Sequence, residues 1–517
     1  MTDILLATIN AKWIHPSLAL RLLKANLASL EERAEIAEFA LRQPLPEKVT
    51  PILQARPRIL ALSVSIWNHQ ATAELLAALN KAWEREAAGK PVIVMGGPEV
   101  SWLDEDAAIL RHADWVVRGE GEVVFRRLCE LLLENKTPSG PAGQEHCRVE
   151  ILSKLRMCEE IKSARGKFIE AGPVDPAAIK SAYRLYGKED LERKLVYVEA
   201  SRGCPFGCEF CLSALDRQVR EFPLETFLAE MDGLLENGAR RFKFLDRTFN
   251  LDTERAGKVL KFFLERTQGL YMPDTETPSP AAREPVCVHF EMVPSRLPAE
   301  LRGLLARFKP GTLRLELGIQ TFNPRTAALV GRASDPEKEL ETLEFLCRNT
   351  NAIIHADLIA GLPAEDLASF AAGFDRLRQA LSVRNAAAIT TTVTAVPPPR
   401  EKPRTEIQLG ILKRLPGTPI ARHDRAFGMR YAADPPYEVR ETAALSAGDL
   451  NRLRNFARFW ELIVNRGVYP DFTARFLPPG KPAFNRFMEL ADTLLARFGR
   501  SWGIDKKELK AILDSQR

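Results

Sequence analysis

The sequence predicts an α/β protein. A doubly wound, Rossmann-like parallel sheet comes first, a partial (β/α)6 barrel follows, and a helical region closes the chain. Three observations carry this. Short apolar runs alternate with helical patterns over residues 1–135, the alternation resumes over 195–420, and the spacing is helical after 441. The expected division is 1–135, a connector at 136–194, the barrel at 195–420 and a C-terminal domain at 421–517.

In the first part, "DILLATI" (3–9), "RILALSVSI" (58–66), "PVIVMGG" (91–97) and "ADWVVRGEGE" (113–122) are apolar, β-rich runs ending on turn residues. Another strand is expected at "AEIAEFA" (34–40), and helices at 17–30, 69–86 and 121–134. The connector is turn-rich at "TPSGPAGQEH" and helical at "PVDPAAIKSAYRLYG". The barrel strands are read at 195–200, 240–246, 286–292, 313–319, 352–360 and 405–412. Proline-rich loops interrupt them at 273–285 and 395–404.

With 517 residues, 45% hydrophobic and 27% charged, the chain has the composition of a globular protein of two or three domains. Its net charge of +5 is spread, without a run of five basic residues, so nucleic acid is not an expected partner. The arginines at 452, 454, 458, 466, 475, 486 and 497 read as a solvated helical surface. No apolar run approaches the roughly 18 residues of a membrane span, and "MTDILLATIN" is no signal peptide. A cytoplasmic location and reduced thiols are expected.

Three of the eight cysteines lie in "RGCPFGCEFC" (202–211), spaced Cys-x3-Cys-x2-Cys behind the first barrel strand. Barrel chemistry sits at strand C-terminal ends. Structural zinc needs a fourth ligand from elsewhere. An iron–sulfur cluster held by three thiolates keeps one iron open for another molecule. Cysteines 129, 147, 158, 287 and 347 are single and read as small core residues.

"CPFGCEFC" resembles the radical S-adenosylmethionine (SAM) enzymes. "HFEMVPSRL" (289–297), "ELGIQTFNPRTAALVGR" (316–332) and "DLIAGLPAE" (357–365) resemble strands three to five of one branch of that superfamily. The resemblance implies a [4Fe-4S] cluster on Cys204, Cys208 and Cys211, with SAM on its open iron. It also implies SAM contacts from Phe210, Glu291, Gln320, Arg332 and Asp357. In "FLDRTFN" (244–250), Asp246 or Arg247 is expected to meet the SAM amine. A rim salt bridge is the alternative reading of Arg332.

Before the barrel, "SVSIWN" (63–68), "GGPEVSW" (96–102) and "VVRGEGE" (116–122) look like the cobalamin-binding domain that precedes many such barrels. The implied cobalamin contacts are Asn10, Lys12, His15, Ser63, Ser65, Trp67, Gly96, Gly97, Glu99, Val100, Gly119, Glu120 and Gly121. Small residues open a slot for the nucleotide tail. The family's Asp-x-His-x-x-Gly loop is missing: "NAKWIHPSLA" has His15 with neither the Asp nor the Gly. His15 is therefore expected to bond the backbone or a phosphate, not cobalt. A dinucleotide is disfavoured because Gly-x-Gly-x-x-Gly is absent after the first strand.

The resemblance as a whole is to cobalamin-dependent radical SAM enzymes. It implies a methyltransferase that moves a methyl group from methylcobalamin to an unactivated carbon by way of a 5′-deoxyadenosyl radical. Two alternatives stand beside it: ring rearrangement, cyclisation or redox chemistry without methyl transfer, and a non-catalytic cluster- and cobalamin-binding sensor. A small-molecule or peptide substrate and an external electron donor of flavodoxin or ferredoxin type are expected, with no membrane partner. No side chain is singled out as an acid, base or nucleophile.

Overall fold

The structure, a computed structural model, describes residues 2–85, 90–134, 141–269, 285–383 and 405–515. The proline-rich stretches lie outside these apart from Pro285. The chain folds into two compact units, Met1–Ala200 with Arg220–Lys243, and Ser201–Val219 with Phe244–Arg517.

In the first unit, β1 (Ile4–Asn10), β2 (Ala34–Ala40), β3 (Ile59–Ser63), β4 (Val92–Gly96) and β5 (Trp115–Arg118) are parallel neighbours in the order β2-β1-β3-β4-β5. Both faces are covered. Ile4 and Leu6 of β1 pack with Leu20 of α1 (Leu18–Ala25) and with Val124 and Leu128 of α4 (Glu122–Glu134). Leu5, Ala7 and Ile9 point the other way, among Ile52 of α2 (Leu45–Ala55) and Leu75, Leu76 and Leu79 of α3 (His69–Trp83). This alternation within one apolar run is what a strand buried on both faces requires. The order reverses between β1 and β3, the switch point at which open α/β sheets leave a crevice at their carboxyl ends.

The expected connector is part of this sheet. After α5 (Pro141–Leu155), β6 (Ile161–Arg165) and β7 (Phe168–Ala171) form a hairpin, and β7 pairs parallel to β5. "IKSAR" and "FIEA" are short, and only Ile161, Ala164, Phe168, Ile169 and Ala171 turn inward, so the pattern reads as turn from sequence. Helix α6 (Lys188–Arg193) and β8 (Val196–Val198) follow.

Two-residue strands β9 (Ser201–Arg202) and β10 (Arg220–Glu221) flank the cysteine loop, before α7 (Leu224–Glu236). Strand β11 (Arg241–Phe244) carries the chain into the second unit. There α8 (Thr253–Gly269), β12 (Cys287–Met292), α9 (Ala299–Leu305), β13 (Leu313–Gln320), α10 (Pro324–Leu329), α11 (Pro336–Asn349), β14 (Ile353–Ala360), α12 (Leu367–Leu381) and β15 (Thr405–Ile411) alternate. The strand order is sequential, β15-β14-β13-β12-β11-β8, and β12 to β15 are parallel.

The C-terminal residues add a small hairpin, β16 (Arg430–Tyr431) and β17 (Val439–Glu441), then α13 (Ala447–Trp460), α14 (Pro470–Phe476), α15 (Phe484–Phe498) and α16 (Lys506–Ser515). Ser446 caps α13 in a capping box with Asp449. Phe456, Trp460, Phe484 and Phe487 build one aromatic cluster with Phe374 of α12, all fully or nearly buried. The helical region therefore shares the barrel unit's core. Several of its arginines are engaged: Arg452 with Asp492, Arg454 with Glu438, Arg466 with Glu461, Arg497 with Glu508, and Arg486 over Phe476. Among the described residues no helix is long and apolar enough to cross a membrane.

Candidate active site

A cavity of about 290 Å³ opens in the second unit. Its wall includes Cys204, Cys208, Cys211, Phe210, Arg247, Glu291, Glu316, Gln320, Arg332 and Asp357. The loop that carries the thiols is fixed by backbone bonds. Cys204 N–H donates to Asp216 C=O at 2.9 Å and Cys211 N–H to Cys208 C=O at 3.0 Å. Gly331 is left-handed at φ +64°, and a Cβ there would stand 2.7 Å from the Gly207 carbonyl. Only glycine lets the loop after α10 pass this close to the cysteine loop.

All eight cysteines are free thiols. Burial pushes the Cys204 and Cys208 thiols up. The Arg332 guanidinium pulls Cys208 the other way, as a bound cation would more strongly. Three thiols on one cavity wall match the number of thiolates that a cluster with one open iron takes, while among the described residues no three ligating side chains stand close enough to hold a single metal ion.

The remaining wall comes from strand alternation. In β13, "LRLELGIQ" buries every second residue from Leu313, so Arg314, Glu316, Gly318 and Gln320 share the other face. Glu316 was missed from the sequence, although this period of two points to it. Gln320 closes the strand at a bulge in its register with β14 and is left-handed at φ +70°. Its buried Oε1 makes no hydrogen bond. A strained residue with an unmet polar atom on a cavity wall is a mark of ligand binding.

Glu291 holds Arg247 through both oxygens, with Nη1 at 2.8 and 3.0 Å. Arg332 donates to the Gly318 carbonyl and lies 3.6 Å from the buried Glu339, while its buried Nε makes no hydrogen bond. The salt-bridge and ligand readings of Arg332 are thus both visible in its geometry. Of the expected SAM residues, Asp246 alone is not on the wall. It is 3% exposed and accepts from Ser201 Oγ at 2.6 Å, so Arg247 is the residue of this pair that faces the cavity. Behind the wall, Thr321 donates to Glu365, whose carboxyl is pushed up to about 7 by burial.

In the first unit, the glycines and polar residues singled out from sequence cluster at the carboxyl ends of β1, β3, β4 and β5. Gly97 has φ +105°, and a Cβ there would lie 2.6 Å from Val64 C=O. Only glycine lets the turn after β4 pack this closely on the turn after β3. Trp13, Trp67 and Trp102, on the loops after β1, β3 and β4, are about half exposed. Such an edge fits a large, flat and largely neutral ring.

Other residues singled out here are committed to the fold. Glu99 is buried and paired with His69 at 2.9 Å, and Val100 is fully buried. Ser65 is buried, its N–H donating to Asn68 Oδ1. Glu120 holds Arg220 with both oxygens and accepts from Val174 N–H. Asn10 donates to Glu38. His15 Nδ1 lies 2.9 Å from the Tyr197 hydroxyl, a partner not anticipated from the sequence. Burial and the charges of Lys12 and Lys243 hold the His15 pKa down.

A parallel sheet with glycines and half-exposed tryptophans at its carboxyl edge, in one chain with barrel strands that carry a three-thiol cavity, is the layout expected of a cobalamin and radical SAM protein. Comparison with known proteins agrees. The radical SAM superfamily model matches residues 198–376 and the B12 binding domain model matches residues 4–129. The chain therefore carries both a radical SAM domain and a B12 binding domain, and its cofactors are a [4Fe-4S] cluster, SAM and cobalamin.

Over 173 residues the chain is 31% identical to an uncharacterized methyltransferase of Pyrococcus horikoshii; the match spans 32% of this chain and 35% of that protein. The fold is similar to the radical SAM methyltransferase TsrM from Kitasatospora setae, solved with tryptophan substrate and aza-SAM, at TM-score 0.54 and 16% identity, covering 86% of this chain and 80% of TsrM. It is also similar to the cobalamin-dependent enzyme OxsB, at TM-score 0.58 and 14% identity, covering 97% of this chain and 76% of OxsB.

Proposed function

We propose that this protein is a cobalamin-dependent radical SAM methyltransferase acting on an unactivated carbon. The observation that carries the reading is the joint presence, on one cavity wall, of three thiols and of side chains of both charges, in a chain that also bears a B12 binding domain. When bound, the cluster supplies the electron that cleaves SAM, and cobalamin carries the methyl group. Cys204, Cys208 and Cys211 would hold the cluster.

SAM presents a carboxylate and an ammonium. Arg332 and Arg247 offer guanidinium groups for the first, and Glu316 and Asp357 carboxylates for the second. The Gln320 amide has an acceptor to give. Phe210 offers an apolar face for the adenine. Cobalamin would sit at the carboxyl edge of the first unit, over Ser63, Gly96, Gly97 and Gly119, with Trp67 on its rim. The loop after β1 lacks the Asp-x-His-x-x-Gly pattern, which supports a cobalt without a histidine ligand. The methyl group is the finer part of the proposal; the methyltransferase names of two similar proteins support it.

The test is anaerobic reconstitution of the full chain with iron, sulfide and hydroxocobalamin, then reduction in the presence of SAM. Cluster and corrin bands, 5′-deoxyadenosine, and candidate acceptors heavier by one CH2 are expected. If 5′-deoxyadenosine forms and no acceptor gains mass, the methyl reading fails and non-methylating chemistry replaces it.

A further inference from the structure

Glu209 sits between two of the three cavity cysteines, yet every polar group it has is bound outside the cysteine loop. The residue is 7% exposed. Its N–H donates to Val330 C=O at 2.9 Å, and its C=O accepts from Ile420 N–H at 3.1 Å. One carboxylate oxygen faces His423 Nε2 at 2.9 Å, and the other pairs with Arg422. Three of these four partners lie in the short 3-10 helix Pro419–His423, which follows the last barrel strand. His423 is itself buried, at 6% exposure, and lies against Phe427.

We propose that residues 420–423 brace the cysteine loop through Glu209, so that the segment after the barrel positions the cluster. Glu209 and His423 are positioning residues. The idea rests on the reading that Cys204, Cys208 and Cys211 hold the cluster. The physics is simple. The loop gains little from apolar burial, because its inward face must keep three sulfurs accessible. A carboxylate bonded on both oxygens supplies the missing restraint, since charge-assisted bonds are the strong ones. The same groups set the local charge. Glu209 adds a negative charge beside the thiols, and Arg422 offsets it.

Two measurements on the full chain separate this from the functional reading. In cluster-free protein, alkylation of Cys208 and Cys211 by iodoacetamide is followed by mass spectrometry. In the reconstituted protein, iron loss to a chelator is timed and the cluster midpoint potential is read by EPR. Glu209→Ala and His423→Ala each should speed alkylation and iron loss by about tenfold or more, as losing a charge-assisted bond implies. The double variant should add little to either single one. The isosteric Glu209→Gln keeps the loop's shape and should raise the midpoint potential, while Arg422→Gln, at an exposed guanidinium, should lower it. Rates within twofold of wild type, additive effects in the double variant, or potential shifts of the same sign overturn the proposal. If wild-type protein takes up no cluster, the functional reading fails, and the alkylation rates still decide the brace.

Discussion

Gly97→Ala should damage the first unit and the cobalamin site proposed at its edge together, while Gly96→Ala should not. The two glycines are adjacent at the end of β4, yet their geometries differ. At Gly97, φ is +105°, a conformation that strains any L-residue, and the new Cβ would lie 2.6 Å from Val64 O and 2.9 Å from Val64 N. Both are backbone atoms in the turn after β3, held by the Val64 N–H bond to Gly96 C=O at 2.8 Å. They cannot swing aside as a side chain would. The left-handed strain alone is about 1–2 kcal/mol. Displacing the turn brings the cost to roughly 3 kcal/mol, near the upper end for a single strained residue.

At Gly96 the nearest atom to a new Cβ is Val117 O at 3.4 Å, an ordinary contact, so Gly96→Ala should cost under about 1 kcal/mol. Thermal unfolding of the full chain, followed by circular dichroism, reads the difference. One kcal/mol moves the midpoint by about 2–4 °C in a unit of this size, so Gly97→Ala should fall by roughly 6–12 °C. Titration with hydroxocobalamin, read by tryptophan quenching, should show binding weakened about tenfold in Gly97→Ala and unchanged in Gly96→Ala. Equal midpoints and equal quenching in the two variants would refute the cradle.

Cys208→Ala should abolish the broad cluster absorption and leave 5′-deoxyadenosine undetectable, with the fold intact by circular dichroism. Arg332→Gln leaves the buried Glu339 without its nearest cation and should cost about 3–5 kcal/mol in denaturant unfolding, with Arg332→Gln/Glu339→Gln recovering part of it. Glu365 carries a proton in the folded chain up to about pH 7, against an ordinary value of 4.5. Its contribution to stability is complete below the lower value and is lost as pH rises through the upper one. Over that window the wild type should lose up to about 3 kcal/mol that Glu365→Gln does not lose, read by urea unfolding at pH 5 and pH 8.

The strands of both sheets were legible because their residues obey one strong rule each. β1, β3 and β4 are continuous apolar runs, as two covered faces require, and β13 alternates. What stayed hidden had weak or remote causes. β6 and β7 present two and three buried residues, too few to outweigh their turn-like flanks. α2 begins after Pro44 and contains Pro51, which reads as loop, yet Ile52 anchors it in the core. In the site, the cysteines and Gln320, Arg332 and Asp357, which the resemblance singled out, line one cavity. Asp246 and Arg247 lie in the loop and turn after β11, where no period of two tells which side chain faces the cavity. Glu99 and Glu120 looked available in sequence because their partners, His69 and Arg220, are 30 and 100 residues away.

The two candidate sites differ in a way that suits two different ligands. At the carboxyl edge of the first sheet, the carboxylates are already paired. Glu99 is paired with His69, Glu120 with Arg220, and Asn68 is buried with its amide shared among the β1 and β3 backbones. What remains open is tryptophan, with the exposed Lys12 beside it. A corrin is broad and apolar over most of its face, and dispersion with such a surface needs contact area rather than charge. The cavity of the second unit is the reverse. Arg247 and Arg332 stand among Glu291, Glu316, Glu339 and Asp357, and buried atoms such as Gln320 Oε1 and Arg332 Nε have no hydrogen bond. Keeping such groups out of water costs free energy unless something polar satisfies them. A zwitterion such as the methionine end of SAM carries both signs within a few bonds, and it is the kind of ligand that turns this cost into binding.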